Sequence, residues 1–133
     1  MSHDAFTAII PSGMEEGARV FQYSPAVRVP AGDLLFISGQ VGLDAHGYVP
    51  EEPEEQFMLL FRNLESVVTT AGTRLDKIVE LTSFHTSMDH VDLFKAIKER
   101  FFTTPPFPAW SIIGISALGR PSLLVEMRAV ARL

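Results

Sequence analysis

With 133 residues, 47% of them in the hydrophobic set and 20% charged, the chain has the size and composition of one globular domain covering positions 1–133. Eleven Lys and Arg against sixteen Asp and Glu leave a net charge of −5, which opposes a polyanionic partner, so no nucleic acid is expected. The absence of cysteine excludes disulfides, a thiol nucleophile and thiolate zinc sites. The first residues show neither a basic nor an apolar leader, and no uncharged apolar run approaches membrane-spanning length, so the expectation is a soluble cytoplasmic protein without membrane contact.

Phe6 to Ile10 is a short apolar run stopped by Pro11-Ser12-Gly13 and reads as a first strand. Ala26 to Val29 and Leu34 to Ser38, separated by Pro30-Ala31-Gly32-Asp33, read as a hairpin. After Pro53, the residues Phe57, Leu60, Phe61, Leu64, Val67, Val68 and Ala71 recur at helical spacing, and Gly72 stops them. Glu51, Glu52, Glu54 and Glu55 favour the positive end of that helix dipole.

Lys77 to Thr86, rich in β-branched residues, predicts a strand, and Ser87 or Asp89 caps a second helix with Val91, Phe94, Ile97 and Phe101 inward. Ser111 to Ile115 and Leu123 to Val130 complete the order β-β-β-α-β-α-β-β, an α+β fold with two helices on one face of a mixed sheet. In the last strand Leu123, Val125, Met127 and Ala129 alternate with Leu124, Glu126, Arg128 and Val130. If the helices cover the first set, the second lies on a bare face that calls for another subunit.

Few residues point to chemistry by themselves. Gly39-Gln40-Val41-Gly42 lacks the third glycine and the following helix of a dinucleotide loop, and reads as glycines at a strand end. His85, Asp89 and His90 have no second cluster to complete a metal site, so no metal is expected. His46 in a turn and His3 near the terminus read as solvated, and Ser38 and Ser111 have no neighbouring base to make a nucleophile. Glu126 is different, because a carboxylate in an apolar strand needs a partner, water or a task. Arg128 two residues on is the structural partner, and general acid/base work is the functional one. Trp110, at the start of a strand after Pro-Phe-Pro-Ala, is either a core or interface aromatic or the wall of a ligand site.

Tyr23-Ser24-Pro25-Ala26-Val27, Phe36-Ile37-Ser38-Gly39-Gln40, Gln56 with Asn63, Pro108-Ala109-Trp110-Ser111 and Leu124-Val125-Glu126 together resemble the reactive intermediate deaminase family, the YjgF or RidA-like proteins. The resemblance implies a chorismate-mutase-like fold assembled as a homotrimer, with a small-molecule cleft at each subunit interface. It further implies cofactor-free hydrolysis of enamines and imines, with Glu126 as the catalytic residue and Tyr23, Ser38, Gly39 and Trp110 lining the pocket. Where the deaminating branch carries a carboxylate-binding arginine this chain has Trp110, so its substrate preference is expected to differ. A Cys common in that branch is Ile112 here, a pocket Asn aligns with Lys95, and Arg28, Arg128 and Lys95 are the candidate replacements for the missing cation. The alternative is a binding module of the same fold in which Trp110 stacks on a flat ligand.

Overall fold

A computed structural model describes residues 5–133; His3 lies outside them. The helical repeat after Pro53 forms α2 (Pro53–Thr70), with the proline in its first turn beside Glu54 and Glu55. Phe57, Leu60, Phe61, Leu64 and Val68 are all fully buried along one stripe. Gly72 takes a positive φ of 86° just beyond the helix, where residues with a side chain are strained. The second predicted helix is α3 (Val91–Phe101), with Phe94 and Ile97 buried.

These helices cover one side of a four-stranded sheet in the order β3-β6-β4-β5, built from β3 (Leu34–Gln40), β4 (Ile78–His85), β5 (Ala109–Gly114) and β6 (Val125–Arg132). β4 and β5 are parallel and joined through α3, while β6 runs antiparallel to both β3 and β4. The alternation read in the last strand holds: Val125, Met127, Ala129 and Ala131 are buried against the helices, and Arg128 is exposed on the other side. That side is largely bare, with Phe36 77% exposed and Ile113 41% exposed.

The α+β fold with its mixed sheet stands, with two differences in the N-terminal third. A short helix, α1 (Glu15–Phe21), follows β1 (Thr7–Ile9), giving the order β-α-β-β-α-β-α-β-β. The expected hairpin does not form. β2 (Ala26–Arg28) pairs instead with β1, Ala8 opposite Val27, and β3 pairs with β6, Phe36 opposite Val130. Apolar burial explains the choice, because Phe6, Val27 and Val29 pack on Val79 and Val130 and so cover one corner of the bare face. α1 has seven residues, too few to hold on propensity, and α3 supports its last turn. Lys95 Nζ donates to the Val20 carbonyl at 3.1 Å and Lys98 Nζ to that of Gln22 at 2.8 Å. Cations at a helix C-terminus satisfy orphan carbonyls and oppose the dipole.

A candidate cleft in two halves

The candidate residues fall into two groups at opposite edges of the sheet. Ser38 and Gly39 lie on edge strand β3, and Glu126 lies on β6 beside it. Gly39 falls at a break in register between Ile37 and Gln40, and a Cβ there would lie 2.2 Å from Glu126 Oε2. The missing side chain is thus the space that the carboxylate fills. Arg128 does not pair with Glu126; its guanidinium lies 5.6 Å from the Phe84 ring centre, and among the described residues Glu126 has no ion-pair partner. Ser38 and Arg128 border a shallow hollow on the bare face with Phe36, Glu80 and Val130.

Two side chains of α2 position this half. Gln56, 1% exposed, donates to the carbonyls of Pro50 at 3.1 Å and Ser122 at 3.0 Å and accepts from the Leu124 N–H at 2.8 Å. Asn63 donates to the carbonyls of Val41 at 2.8 Å and Leu43 at 2.9 Å. One therefore fixes the entry to β6 two residues before Glu126, and the other fixes the exit from β3 just after Gly39.

The second half belongs to edge strand β5. Ser24, anchored through its N–H on the Pro108 carbonyl at 3.0 Å and through its hydroxyl on that of Phe107, ties the segment after α1 to the approach to β5. Tyr23 and Trp110 thereby line one cleft of about 210 Å3 with Phe21 and Ile112. Trp110 lies opposite Leu81, which faces the helices, whereas Glu126 lies opposite Phe84, which does not. With β3 and β5 separated by two strands, the two edges are about 14 Å apart at the usual spacing. The fold joins Tyr23 to Trp110 through Ser24 and Gly39 to Glu126 across β3 and β6, and it sets the two pairs apart.

Trp110 is half-buried in a polar network. Its indole N–H donates to Ser83 Oγ at 2.9 Å, and Ser83 Oγ lies 2.8 Å from His85 Nε2. Burial holds His85 down to about 4, so the ring is neutral at pH 7; among the described residues its Nδ1 has no hydrogen-bond partner. His85 is thus tied to Ser83, and among the described residues no group of three His, Asp or Glu side chains converges on a metal position.

Sequence reading missed Lys98. Its Nζ sits 4.4 Å from the Trp110 ring centre, and the side chain is fully buried. Burial pushes the ammonium down to about 7, with Lys95 lowering it further and Glu99 opposing. The available signal was its place four residues after Phe94, on the inward stripe of an amphipathic helix. The candidate cations behave differently: Lys95 pairs with Glu99 at 3.6 Å, Arg28 is exposed on β2, and Arg128 lies on the opposite sheet face.

The Lys98 shift gives a stability prediction. Between about 7 and the ordinary lysine value of 10.5 the unfolded chain binds a proton that the folded chain does not, so wild-type stability rises with pH across that window. Lys98→Met, similar in shape and uncharged, should be more stable than wild type at pH 6, by on the order of a few kcal/mol. The gap should narrow by pH 9. Urea unfolding at both pH values reads it, and a pH-independent gap would contradict a strained buried ammonium.

A mixed sheet covered by helices on one side and open on the other, with candidate residues at both edges, defines a small α+β protein whose open face and edges carry its site. A family model described as endoribonuclease L-PSP matches residues 16–133. The RutC family protein YjgH of Escherichia coli (strain K12) is 34% identical over 128 residues, covering 96% of this chain and 95% of its own. Among solved structures, YyfB from Yersinia pestis, described as a protein of unknown function of the conserved Rid family, superposes with a TM-score of 0.87 at 30% identity. That match covers 97% of this chain and 99% of YyfB. The structure of YjgH superposes with a TM-score of 0.71 at 33% identity, covering 97% of each chain. The chain belongs to the endoribonuclease L-PSP family, the YjgF/RidA-like proteins. No helix among the described residues is long and apolar enough to cross a membrane.

Proposed function

We propose that the chain is a cofactor-free hydrolase of reactive enamines and imines, working in the cytoplasm as a homotrimer. Its cleft forms where the β3 edge of one copy meets the β5 edge of the next. The observation that carries this reading is Glu126, a carboxylate without an ion-pair partner among the described residues, seated against the Gly39 backbone at the margin of the open sheet face. A base so placed takes a proton from water as the water oxygen bonds to the imine carbon. The C=N electron pair moves to nitrogen, which is protonated. Collapse of the carbinolamine, with a proton lost from its hydroxyl and one gained at nitrogen, then breaks the C–N bond and leaves a carbonyl product and ammonia. An enamine enters this sequence by tautomerising to the imine, gaining a proton at carbon and losing one from nitrogen. Tyr23, Ser38, Gly39 and Trp110 line the cleft on this reading and orient the substrate. Trp110 in place of a forked cation favours substrates without a carboxylate.

Ammonia release from freshly generated imines tests the proposal. Glu126→Gln, nearly the same in shape, should lose at least about a hundredfold of the catalysed rate while keeping its fold. Equal rates for the two proteins would overturn the assignment. Sedimentation should give three times the chain mass of 14.7 kDa, since a lone domain would leave Phe36 and Ile113 in water. A stable monomer at micromolar concentration would remove the shared cleft.

A further inference from the structure

Trp110 is the only tryptophan of the chain, and its surroundings are unusual for a ligand-stacking wall. Lys98 Nζ sits over the ring at 4.4 Å and is pinned by the Gln22 carbonyl at 2.8 Å, while the indole N–H is already spent on Ser83 Oγ at 2.9 Å. Phe94 packs on the same ring system at 6.4 Å between centres, and Phe21 meets it edge-on at 6.5 Å. What remains of Trp110 lines the cleft with Phe21, Tyr23 and Ile112, none of which carries a charge.

We propose that Lys98 and Ser83 are positioning residues that make Trp110 a specificity wall for uncharged planar groups, with Lys98 excluding cations from the cleft. This rests on the reading of Tyr23 and Trp110 as part of the substrate site. The electrostatics follow from each group's partners. A cation gains from an aromatic face, but this indole already holds an ammonium, and a second cation against the same ring would meet its like charge. An anion is drawn by the same ammonium, and by Lys95 Nζ 5.6 Å from the Phe21 ring centre. The two ammoniums, however, donate to the Gln22 and Val20 carbonyls and the indole N–H to Ser83, so no donor replaces the hydration the anion loses. A neutral planar group meets neither penalty and stacks. In the proposed reaction this favours the neutral imine or enamine over its protonated iminium form.

Around Lys98, α3 itself supplies Lys95 and Glu99, which pair with each other. α1 supplies backbone carbonyls to the two lysines, and its Arg19 pairs with Glu16 on the exposed side. β4 supplies His85, linked through Ser83 and held neutral, and β5 contains no charged residue.

Benzamide, benzoate and benzamidinium share one shape and differ in charge, and Trp110 fluorescence reports their binding to the intact protein without turnover. At pH 6 benzamide should bind at least about tenfold more tightly than benzamidinium, with benzoate weaker than benzamide. As pH rises through about 7 to 9 and Lys98 gives up its proton, the discrimination against benzamidinium should fall. In Lys98→Met it should be small at both pH values. The wild-type pH arm stands even if that variant fails to fold. A benzamide-to-benzamidinium ratio unchanged by pH, or kept in Lys98→Met, would overturn the role of Lys98. Tighter binding of benzoate than benzamide would overturn the neutral specificity, and no response to any of the three would remove the wall. Charge discrimination without imine hydrolysis would sink the proposed reaction alone, and hydrolysis without discrimination would sink this inference alone.

Discussion

Gln56→Leu is expected to destabilise the protein by about 3–5 kcal/mol, well beyond the cost of losing an exposed polar side chain. Gln56 is 1% exposed and its amide group makes three hydrogen bonds, two donated and one accepted. Leucine nearly preserves volume, so the loss comes from the groups left behind: the carbonyls of Pro50 and Ser122 and the N–H of Leu124. The Pro50 carbonyl is buried and the other two groups partly so; a polar group buried without a partner costs about 1–3 kcal/mol, partly offset by the greater apolarity of leucine. For a chain of this size the thermal midpoint should fall by roughly 10–20 °C. Activity should fall further than the folded fraction does, because Leu124 leads into the strand that carries Glu126. Gln56→Glu keeps the acceptor for the Leu124 N–H but turns a carboxylate oxygen toward the Pro50 and Ser122 carbonyls in a buried place, so it should lose at least as much. A midpoint within about 3 °C of wild type for Gln56→Leu would show that water or a shifted loop replaces the amide.

The parts of the fold that were legible in the sequence are those where one element's own pattern decides the outcome. The α2 stripe from Phe57 to Val68 and the alternation of β6 each repeat often enough to name their buried face without a partner. The bare face followed from the same alternation, since two helices cannot cover both sides of the sheet. α1 escaped because its support is tertiary, two lysine ammoniums on α3 reaching its last carbonyls from residues far along the chain. The turn signal after Val29 favours a hairpin of β2 with β3, but burial of Phe6 and Val79 draws β2 to β1. At the candidate site, Gly39 and Glu126 share a motif signal, and their contact makes physical sense of it. The Lys98–Trp110 pair had no such signal, because it joins a helix to a strand through a residue type rarely fully buried.

That pair changes what Trp110→Arg should do. Restoring an arginine at this position offers a carboxylate two parallel N–H donors, and on that account alone the variant should gain hydrolysis of 2-iminopropionate-like acids. The structure adds a cost, since the new guanidinium would replace the ring that now faces Lys98 Nζ at 4.4 Å. A favourable cation–aromatic contact becomes a like-charge contact beside a buried ammonium, and Ser83 Oγ loses the indole donor. The single substitution should therefore lose about 3 kcal/mol or more, from lost aromatic packing together with repulsion. Adding Lys98→Met removes the repulsion while keeping the stem volume, so the double variant should recover about 1–3 kcal/mol beyond the sum of the two single changes. Only the double variant should combine a stable fold with a gain in imino-acid hydrolysis over wild type. Additive stabilities in this cycle would mean that Lys98 moves away freely when the indole is lost. Fast wild-type turnover of 2-iminopropionate, equal to that of the double variant, would instead show that the cleft already holds a cation for the carboxylate, with Arg128 on the bare sheet face the first residue to test.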